Sequence, residues 1–433
     1  MQKQYNYKIN VILNYVYKIS VIPIALINMR LNIQYLGTEI YGVWATILSV
    51  VSWMNNGDLG ISNGLRNELA AAIGRGDEDQ AKKLIGSISS VMLKLSFIVT
   101  GILIIINEIL IASGLISVQY RLPMLITSIF FGVNFFLGIG QSIAFSYQMS
   151  ALTSMSSFIS SVISLFFVFL LIHIGPAQNL VVFSILIGLA GACANFFLLF
   201  VIYHREHITI KPIATVNFSE TIKPVVNLGI KFFILQICSI VIDSTDNLII
   251  NKIFGGNLVT KYSVITKVYQ TGDRLFSIVL IALWSAVTFQ IAAGNIKWVK
   301  EQIKRLLLVY CVFSIGVAGI SILFNPIVKI WLGRNAFYYE PRLVIVFAIC
   351  ELLNAFGAIY VNVANGLGHV NVQMICGIIG AVINIPLSIL FATTGGMGIM
   401  GVKFATLISR MIISIFVPIE ITFYLRKLDS VIK

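Results

Sequence analysis

The chain has 433 residues, of which 58% are hydrophobic and 11% are charged, and its mean hydropathy is +0.94. Soluble domains contain about 45–50% apolar and about 25% charged residues. With this composition, a soluble fold would leave too much apolar surface in contact with water. The values therefore exclude a soluble globular protein, a disordered chain and a secreted disulfide scaffold, and they predict a protein embedded in a lipid bilayer. The net charge of +13 accompanies no soluble basic module, so we expect no nucleic-acid partner.

The apolar residues fall into stretches of the length that crosses a membrane, which is about 20 residues for a helix. In chain order the predicted spans are 10–35, 40–66, 84–110, 119–146, 152–174, 179–203, 222–253, 260–292, 304–332, 341–366, 371–393 and 398–425. The loops between them are short, which leaves no room for an extramembrane domain. We therefore predict an all-α polytopic membrane protein with about twelve transmembrane helices.

The loops differ in their content of Lys and Arg. If the N-terminus is cytoplasmic, the inside loops and termini carry fifteen basic residues and the outside loops carry five. Cytoplasmic loops of membrane proteins are enriched in Lys and Arg. The sequence therefore predicts a multi-pass protein whose two termini are both cytoplasmic, and most of its positive charge reports this orientation.

The two halves of the chain have glycine and proline residues at matching positions. An offset of 218 residues places Gly37 on Gly255, Gly76 on Gly294 and Pro123 on Pro341, at the same kinds of landmark in each half. This favours a duplication, with a six-helix lobe over residues 1–215 and a second over 216–433. Six is an even number, so the halves are parallel repeats, and transporters of this design bind substrate between their halves.

Ionisable residues at span depth are the candidate site. Ten basic and eight acidic residues lie within or at the edge of predicted spans. Each costs about 2.5–3.5 kcal/mol at a helix centre, so such residues mark hydrated interiors or mutual pairs. One interpretation is snorkelling to the interface, which we favour for Lys223, Lys329 and Arg66. The other is an aqueous cavity that attracts an anion, which we favour for Arg30, Lys94, Lys267, Arg274 and Arg410.

The acids have two interpretations. Asp243, Asp246 and Asp273 could neutralise nearby Lys and Arg, or they could exchange a proton or a sodium ion during a transport cycle. In the second span, Asp58 followed by Leu59 and Gly60 predicts a broken or capped helix. The sequence contains no nucleotide-binding loop, metal-ligand cluster or catalytic set with defensible spacing. We therefore expect a protein that is not an enzyme and has neither a cofactor nor a metal.

Several strings carry a resemblance to a known family. They are LGTEIYGVW at 36–44, DLGI at 58–61, NELA at 67–70, and DNLII at 246–250 followed by Phe254-Gly255. Together they resemble polysaccharide exporters of the MOP superfamily, in particular Wzx-type flippases for O-antigen or capsule repeat units.

The resemblance implies both an architecture and an activity. Two six-helix bundles would form a MATE-like V with a cationic central cavity in a bacterial inner membrane. The implied cargo is an undecaprenyl-diphosphate-linked oligosaccharide, moved from the cytoplasmic to the periplasmic leaflet by alternating access with a coupling proton or sodium ion. Membrane lipids, a polysaccharide polymerase and a chain-length regulator are the implied partners. The five cations named above would then hold the diphosphate.

Two other functions are open. A MATE-type multidrug or cation antiporter would share the architecture but would need acids for cationic drugs. Basic residues outnumber acidic ones by two at span depth, which weakly favours an anionic cargo. The other is a non-transporting membrane scaffold for glycan assembly.

Overall fold

The structure is a computed structural model that describes residues 7–54, 57–114, 116–176, 178–206, 208, 221–332 and 337–432. Within this part of the chain every regular element is helical. The helices are α1 (Tyr7–Trp53), α2 (Ile61–Arg75), α3 (Glu78–Ala112), α4 (Arg121–Leu137), α5 (Ile139–Ser146), α6 (Ser150–Ile174), α7 (Leu180–Arg205), α8 (Lys223–Phe254), α9 (Gly256–Ala292), α10 (Ile296–Ile322), α11 (Phe324–Leu332), α12 (Pro341–Leu367), α13 (Asn371–Ala392) and α14 (Ile399–Ile432).

Eleven stretches of the described helices are long and apolar enough to cross a membrane. This confirms the all-α polytopic class predicted from the sequence. The difference from twelve lies at the predicted second span, residues 40–66, which falls on two helices, the end of α1 and the start of α2.

A capped break separates these two helices. Leu59 and Gly60 have positive φ values of 51° and 76°, which ends the helical path. The carboxylate of Asp58 accepts hydrogen bonds from the backbone N–H groups of Gly60 at 3.0 Å and Ser62 at 3.1 Å. Because a carboxylate satisfies N–H groups that lack a partner in the first turn of a helix, Asp58 caps the start of α2, which follows Gly60. The predicted broken or capped helix is therefore confirmed.

The chain forms two compact units, Met1–Ile230 and Lys231–Lys433. The boundary predicted between residues 215 and 216 lies outside the described residues. In the N-terminal unit, α2, α3 and α5 share a core that includes the fully buried Leu65, Leu69 and Ile143. Polar ties also join its helices: the Asn14 amide on α1 donates to Ser150 and accepts from Ser154, both on α6.

A glycine allows α2 to approach the start of α8 within this unit. A Cβ on Gly64 would lie 2.2 Å from the backbone carbonyl oxygen of Val225. No side chain fits at that distance, so the contact depends on glycine.

In the C-terminal unit, α9, α12 and α14 pack around fully buried side chains that include Leu283, Ile359 and Val417. A second cluster centres on Tyr339, in the segment between α11 and α12. The Tyr339 hydroxyl donates to the carbonyl of Lys261 at 2.9 Å, and its backbone exchanges two hydrogen bonds with Asn325. Burial raises the pKa of Tyr339 to about 12, so its hydroxyl keeps its proton and continues to donate.

The backbone repeats with the offset seen in the sequence. Gly37 (φ 75°, ψ 166°) and Gly255 (φ 83°, ψ 172°) adopt the same conformation, and each separates two helical stretches. Asp77 and Asn295, again 218 residues apart, are both N-caps whose side chains accept from the third following N–H. At these positions the two halves therefore share local backbone structure at the offset found in the sequence.

Candidate functional site

The C-terminal unit contains a polar cavity of about 270 Å³ between α8, α9, α12 and α14. Its lining carries three acidic and three basic side chains, all within helices that are long and apolar enough to cross a membrane. They are Asp243, Asp273, Arg274, Glu351, Lys403 and Arg410. The cavity therefore brings together Arg274 and Arg410, predicted as anion-binding residues, with Asp243 and Asp273, predicted as coupling residues. Its formal charge is balanced rather than purely cationic.

Helical periodicity explains why these residues share the cavity. Asp273 follows Tyr269 by four residues on α9, and Glu351 follows Phe347 by four on α12, so each pair lies on one helix face. Lys403 and Arg410 are seven residues apart on α14, which also places them on one side. All of these line the same cavity.

Arg410 is the central cation of a chain of polar contacts. Its guanidinium donates to the carboxylate of Asp243 on α8 and to the side-chain oxygen of Asn354 on α12. The amide nitrogen of Asn354 in turn donates to Asp273 on α9, at 3.2 Å. One arginine thus joins all four helices around the cavity, with an ion pair on one side and an amide bridge on the other.

Asp246 is the centre of a second network of polar contacts, which is deeply buried. Its side chain is 4% exposed. The hydroxyl of Tyr262 on α9 donates to it, and the hydroxyl of Thr406 on α14 lies 3.1 and 3.2 Å from its two oxygens. The amide nitrogen of Asn384 on α13 donates to Thr406 at 3.4 Å. Because a buried carboxylate without donors is costly, this network accounts for an acid at this depth.

Aromatic contacts connect the cavity with the Asp246 network. The Lys403 ammonium lies 4.8 Å from the centre of the Phe347 ring, a cation–π geometry. The rings of Phe347 and Tyr262 meet edge to face at 5.2 Å. Phe347 therefore lines the cavity and also contacts Tyr262 of the Asp246 network.

The other predicted cations lie elsewhere. Lys267 is exposed on α9 and is not among the residues that line the cavity. Arg30 on α1 and Lys94 on α3 are exposed positions of the N-terminal unit. One turn beyond Lys94, Phe97 and Ile98 are 72% and 56% exposed, as on a helix surface that faces lipid. This environment fits the snorkelling interpretation for Lys94.

The ionic residues of the cavity have no ionic counterparts in the first half of the chain at the offset of 218 residues. Subtracting 218 from Asp243, Glu351, Lys403 and Arg410 gives positions occupied by apolar residues. They are Ala25, Val133, Ile185 and Ala192. The other two ionic residues of the cavity, Asp273 and Arg274, map onto Asn55 and Asn56, so none of the six has an ionic counterpart at this offset.

Sequence reasoning missed several residues of the site. They are Tyr262, Glu351, Asn354, Lys403 and Thr406. Glu351 and Lys403 are ionisable residues at span depth, so their cost of burial was a signal. Asn354, Tyr262 and Thr406 are ordinary in apolar helices, and only the neighbouring helices reveal their role.

Comparisons with known proteins agree with this architecture. No family model matches the sequence. The chain is 22% identical over 318 residues to a Salmonella typhi protein described as a "Putative O-antigen transporter", covering 72% of this chain and 71% of that protein.

Solved structures resemble the chain over nearly its whole length. The bent form of the Vibrio cholerae MATE transporter VcmN superposes with a TM-score of 0.81 at 13% identity, covering 98% of this chain and 96% of that one. An outward-facing multidrug resistance MATE family transporter of the MOP superfamily gives 0.80 at 14% identity, covering 98% and 97%. A MOP superfamily transporter from Pyrococcus furiosus, described as having a binding pocket of reverse polarity, gives 0.79 at 14% identity, covering 98% and 97%.

The chain therefore has the fold of MOP-superfamily transporters. The Salmonella typhi relative adds sequence similarity to a protein described as an O-antigen transporter, and together these findings support the resemblance to the MOP superfamily drawn from the sequence motifs. All of these proteins are described as transporters, which agrees with the expectation of a membrane transport protein rather than an enzyme.

Proposed function

We propose that the chain is a flippase for an undecaprenyl-diphosphate-linked oligosaccharide repeat unit of O-antigen or capsule. It moves the headgroup from the cytoplasmic to the periplasmic leaflet of a bacterial inner membrane by alternating access, coupled to a proton or sodium ion. The observation that carries the proposal is the similarity to the Salmonella typhi relative over 72% of the chain. A surface polysaccharide polymerase and a chain-length regulator are the expected partners, and both termini are expected in the cytoplasm.

Transport of this cargo requires a polar path, and the charged residues of the cavity could provide one. A diphosphate and a chain of sugars are too polar to cross hydrocarbon, whereas the polyprenyl tail prefers it. A protein that lets the headgroup travel past water and fixed charges, while the tail remains in lipid, lowers the barrier. Ionisable residues at membrane depth are expensive and are retained where such a polar path exists.

We assign anion binding to the predicted cations, with Arg274 first. Arg274 lines the cavity on an exposed position of α9, and the planar guanidinium fork matches phosphate oxygens. Arg410 is the second candidate, and it would have to exchange Asp243 and Asn354 for phosphate. Lys267 and Arg30 remain proposed secondary contacts, whereas the exposed apolar residues beside Lys94 favour snorkelling at that position.

We assign ion coupling to the three aspartates. Asp243 and Asp273 share one polar chain with Arg410, so displacement of the arginine by cargo would release Asp243 and would leave Asp273 with only its amide donor, Asn354. Asp246 is held by hydroxyl donors and has no such exchange partner among its described contacts. We therefore expect Asp243 and Asp273 to respond to cargo, and Asp246 to respond to helix movement.

The test is complementation of a bacterial strain that lacks its own repeat-unit flippase and makes the matching glycan. Wild type is expected to restore surface glycan, and Arg274→Glu is expected to abolish it. Arg342→Glu, at an exposed position in the first turn of α12, is the matched control and should retain export. Failure of wild type to restore any glycan in hosts with matched repeat units would refute the proposal.

A multidrug or cation antiporter is the second candidate. Three acids in the cavity and MATE transporters among the structural neighbours favour it. A drug-susceptibility panel with and without the protein separates the two functions, since only the antiporter would raise resistance. A scaffold without transport activity would tolerate Arg274→Glu in the glycan assay.

A further inference from the structure

We infer that Glu351 is a proton-binding residue, and that proton uptake by Glu351 is linked to anion binding in the cavity of the C-terminal unit. The inference deepens the proposed function, on which it rests for the identity of the anion as the phosphate groups of a lipid carrier. The proton linkage itself depends only on the geometry of the cavity.

Glu351 differs in its hydrogen bonding from the other acids of the cavity and from Asp246. Asp243 pairs with Arg410, Asp273 accepts from Asn354, and Asp246 accepts from two hydroxyl groups. The Oε1 atom of Glu351, in contrast, is buried and has no hydrogen-bond partner among the described residues. A buried carboxylate oxygen without a donor is costly, and proton uptake removes the charge that makes it so.

The charged and titratable groups that face Glu351 come from every helix around the cavity. They are Asp243 on α8, Tyr269, Asp273 and Arg274 on α9, Cys350 on its own helix, and Lys403 and Arg410 on α14. The two cations of α14 are already engaged, Arg410 by Asp243 and Asn354, and Lys403 by the Phe347 ring. They are therefore poorly placed to neutralise Glu351 fully.

The net charge of the cavity links protonation of Glu351 to the affinity of the cavity for an anion. With all three acids ionised the six charged residues of the cavity sum to zero, and with Glu351 protonated they sum to +1. An anion binds better to the positive form, and by thermodynamic reciprocity a bound anion raises the affinity of Glu351 for its proton. A free phosphate and a lipid-linked diphosphate share this chemistry.

The first experiment measures proton uptake when inorganic pyrophosphate binds the purified full-length protein. Titration calorimetry in two buffers of different ionisation enthalpy gives the number of protons taken up. Because pyrophosphate itself titrates, the informative quantity is the difference between wild type and Glu351→Gln, which mimics the protonated acid. We expect wild type to take up a fraction of a proton more than the variant.

The affinity provides a second reading. As the pH falls, wild type should gain about tenfold in pyrophosphate affinity relative to Glu351→Gln, within the usual range of coupling between sites. Glu301→Gln, which alters a half-exposed acid on α10 of the same unit, is the matched control and should behave as wild type. Equal proton uptake in wild type and Glu351→Gln, or no binding of pyrophosphate by wild type, would overturn the inference.

A spectroscopic measurement keeps the inference testable if Glu351→Gln is unstable. In wild type, pyrophosphate should increase the infrared carbonyl band of a protonated carboxylic acid, and Glu351→Asp should shift this band while Glu301→Gln leaves it unchanged. No change in the band on binding would refute the linkage.

A further comparison uses long-chain polyprenyl diphosphate in nanodiscs in place of pyrophosphate. It shows whether a lipid-borne headgroup gives the same proton uptake. Proton linkage without glycan export would refute the proposed function alone, and export with no linkage would refute this inference alone.

Discussion

Removal of one hydroxyl from the Asp246 network should destabilise the C-terminal unit more than removal of a comparable hydroxyl nearby. Tyr262→Phe deletes the donor to a buried carboxylate but keeps the ring and its contact with Phe347. Tyr269→Phe, seven residues later on the same helix, deletes hydrogen bonds to two neutral groups, the hydroxyl of Ser321 at 2.7 Å and the carbonyl of Val344 at 3.3 Å. Both tyrosines are buried, with 3% and 4% of their surface exposed.

The expected losses in the free energy of unfolding depend on the hydrogen-bond partners of the two tyrosines. Interhelical hydrogen bonds in membranes are worth about 0.6 kcal/mol on average and about 1.7 at most. Hydrogen bonds to charged groups are worth about 1.5–3 kcal/mol. We therefore expect a loss of about 1.5–2 kcal/mol in the free energy of unfolding for Tyr262→Phe and about 0.6 kcal/mol for Tyr269→Phe.

The assay is reversible unfolding in mixed detergent micelles, followed by circular dichroism. A double-mutant cycle isolates the contact: in an Asp246→Asn background the cost of Tyr262→Phe should fall by about 1 kcal/mol, whereas the cost of Tyr269→Phe should not change. Equal losses for the two single variants, or no coupling between Tyr262 and Asp246, would refute the account of this network.

Three further predictions concern the N-terminal unit and the cavity. Gly64→Ala should destabilise the protein by several kcal/mol, because its Cβ would lie 2.2 Å from a backbone carbonyl oxygen of α8. Gly101→Ala is the control: no atom lies within 4 Å of the added Cβ, so this variant should be neutral or stabilising by up to about 1 kcal/mol. Thermal unfolding measures both effects. Asp58→Ala removes the acceptor for two N–H groups at the start of α2 and should cost about 1 kcal/mol in the same assay, with an unchanged midpoint as the contrary result. Arg274→Ala should lower pyrophosphate affinity at least about tenfold, and Lys267→Ala should lower it less, since only Arg274 lines the cavity; an equal effect of the two would contradict this assignment.

The sequence alone predicted the helices well because each spanning segment carries its own signal. The predicted spans 222–253 and 341–366 lie within one residue of α8 and α12 at both ends. Lipid forces backbone polar groups into helices, so length and apolar content are sufficient. The predicted span 40–66 is where this reasoning is incomplete, since apolar content is continuous there while Asp58 and Gly60 divide the helix.

The site was predicted in part, and the limit has a physical cause. The cost of burying ions singled out Arg274, Arg410, Asp243 and Asp273, which the structure brings to one cavity. Periodicity along one helix gives a face but not the neighbouring helix. Asn354, whose amide bridges a cation and an acid from two other helices, therefore could not be found from the sequence.

The cavity of the C-terminal unit differs from the cationic cavity that the family resemblance implies, because acids lie beside its cations. Each helix that contributes a cation to this cavity contacts a helix that contributes an acid. The pair of Arg410 with Asp243 is the clearest case. Neutral ion pairs that can open on binding differ physically from a fixed positive surface, because cargo must compete with an internal acid for the arginine.

The most direct test of the account is flipping by the purified protein. Proteoliposomes would contain a polyprenyl-diphosphate-linked oligosaccharide whose sugars are accessible to a membrane-impermeant glycosidase only on the outer leaflet. The account predicts that wild type moves sugars between leaflets, that Arg274→Glu slows this at least about tenfold, equivalent to roughly 1.4 kcal/mol in the barrier, and that Arg342→Glu does not. Leaflet exchange no faster than in protein-free liposomes would contradict the account.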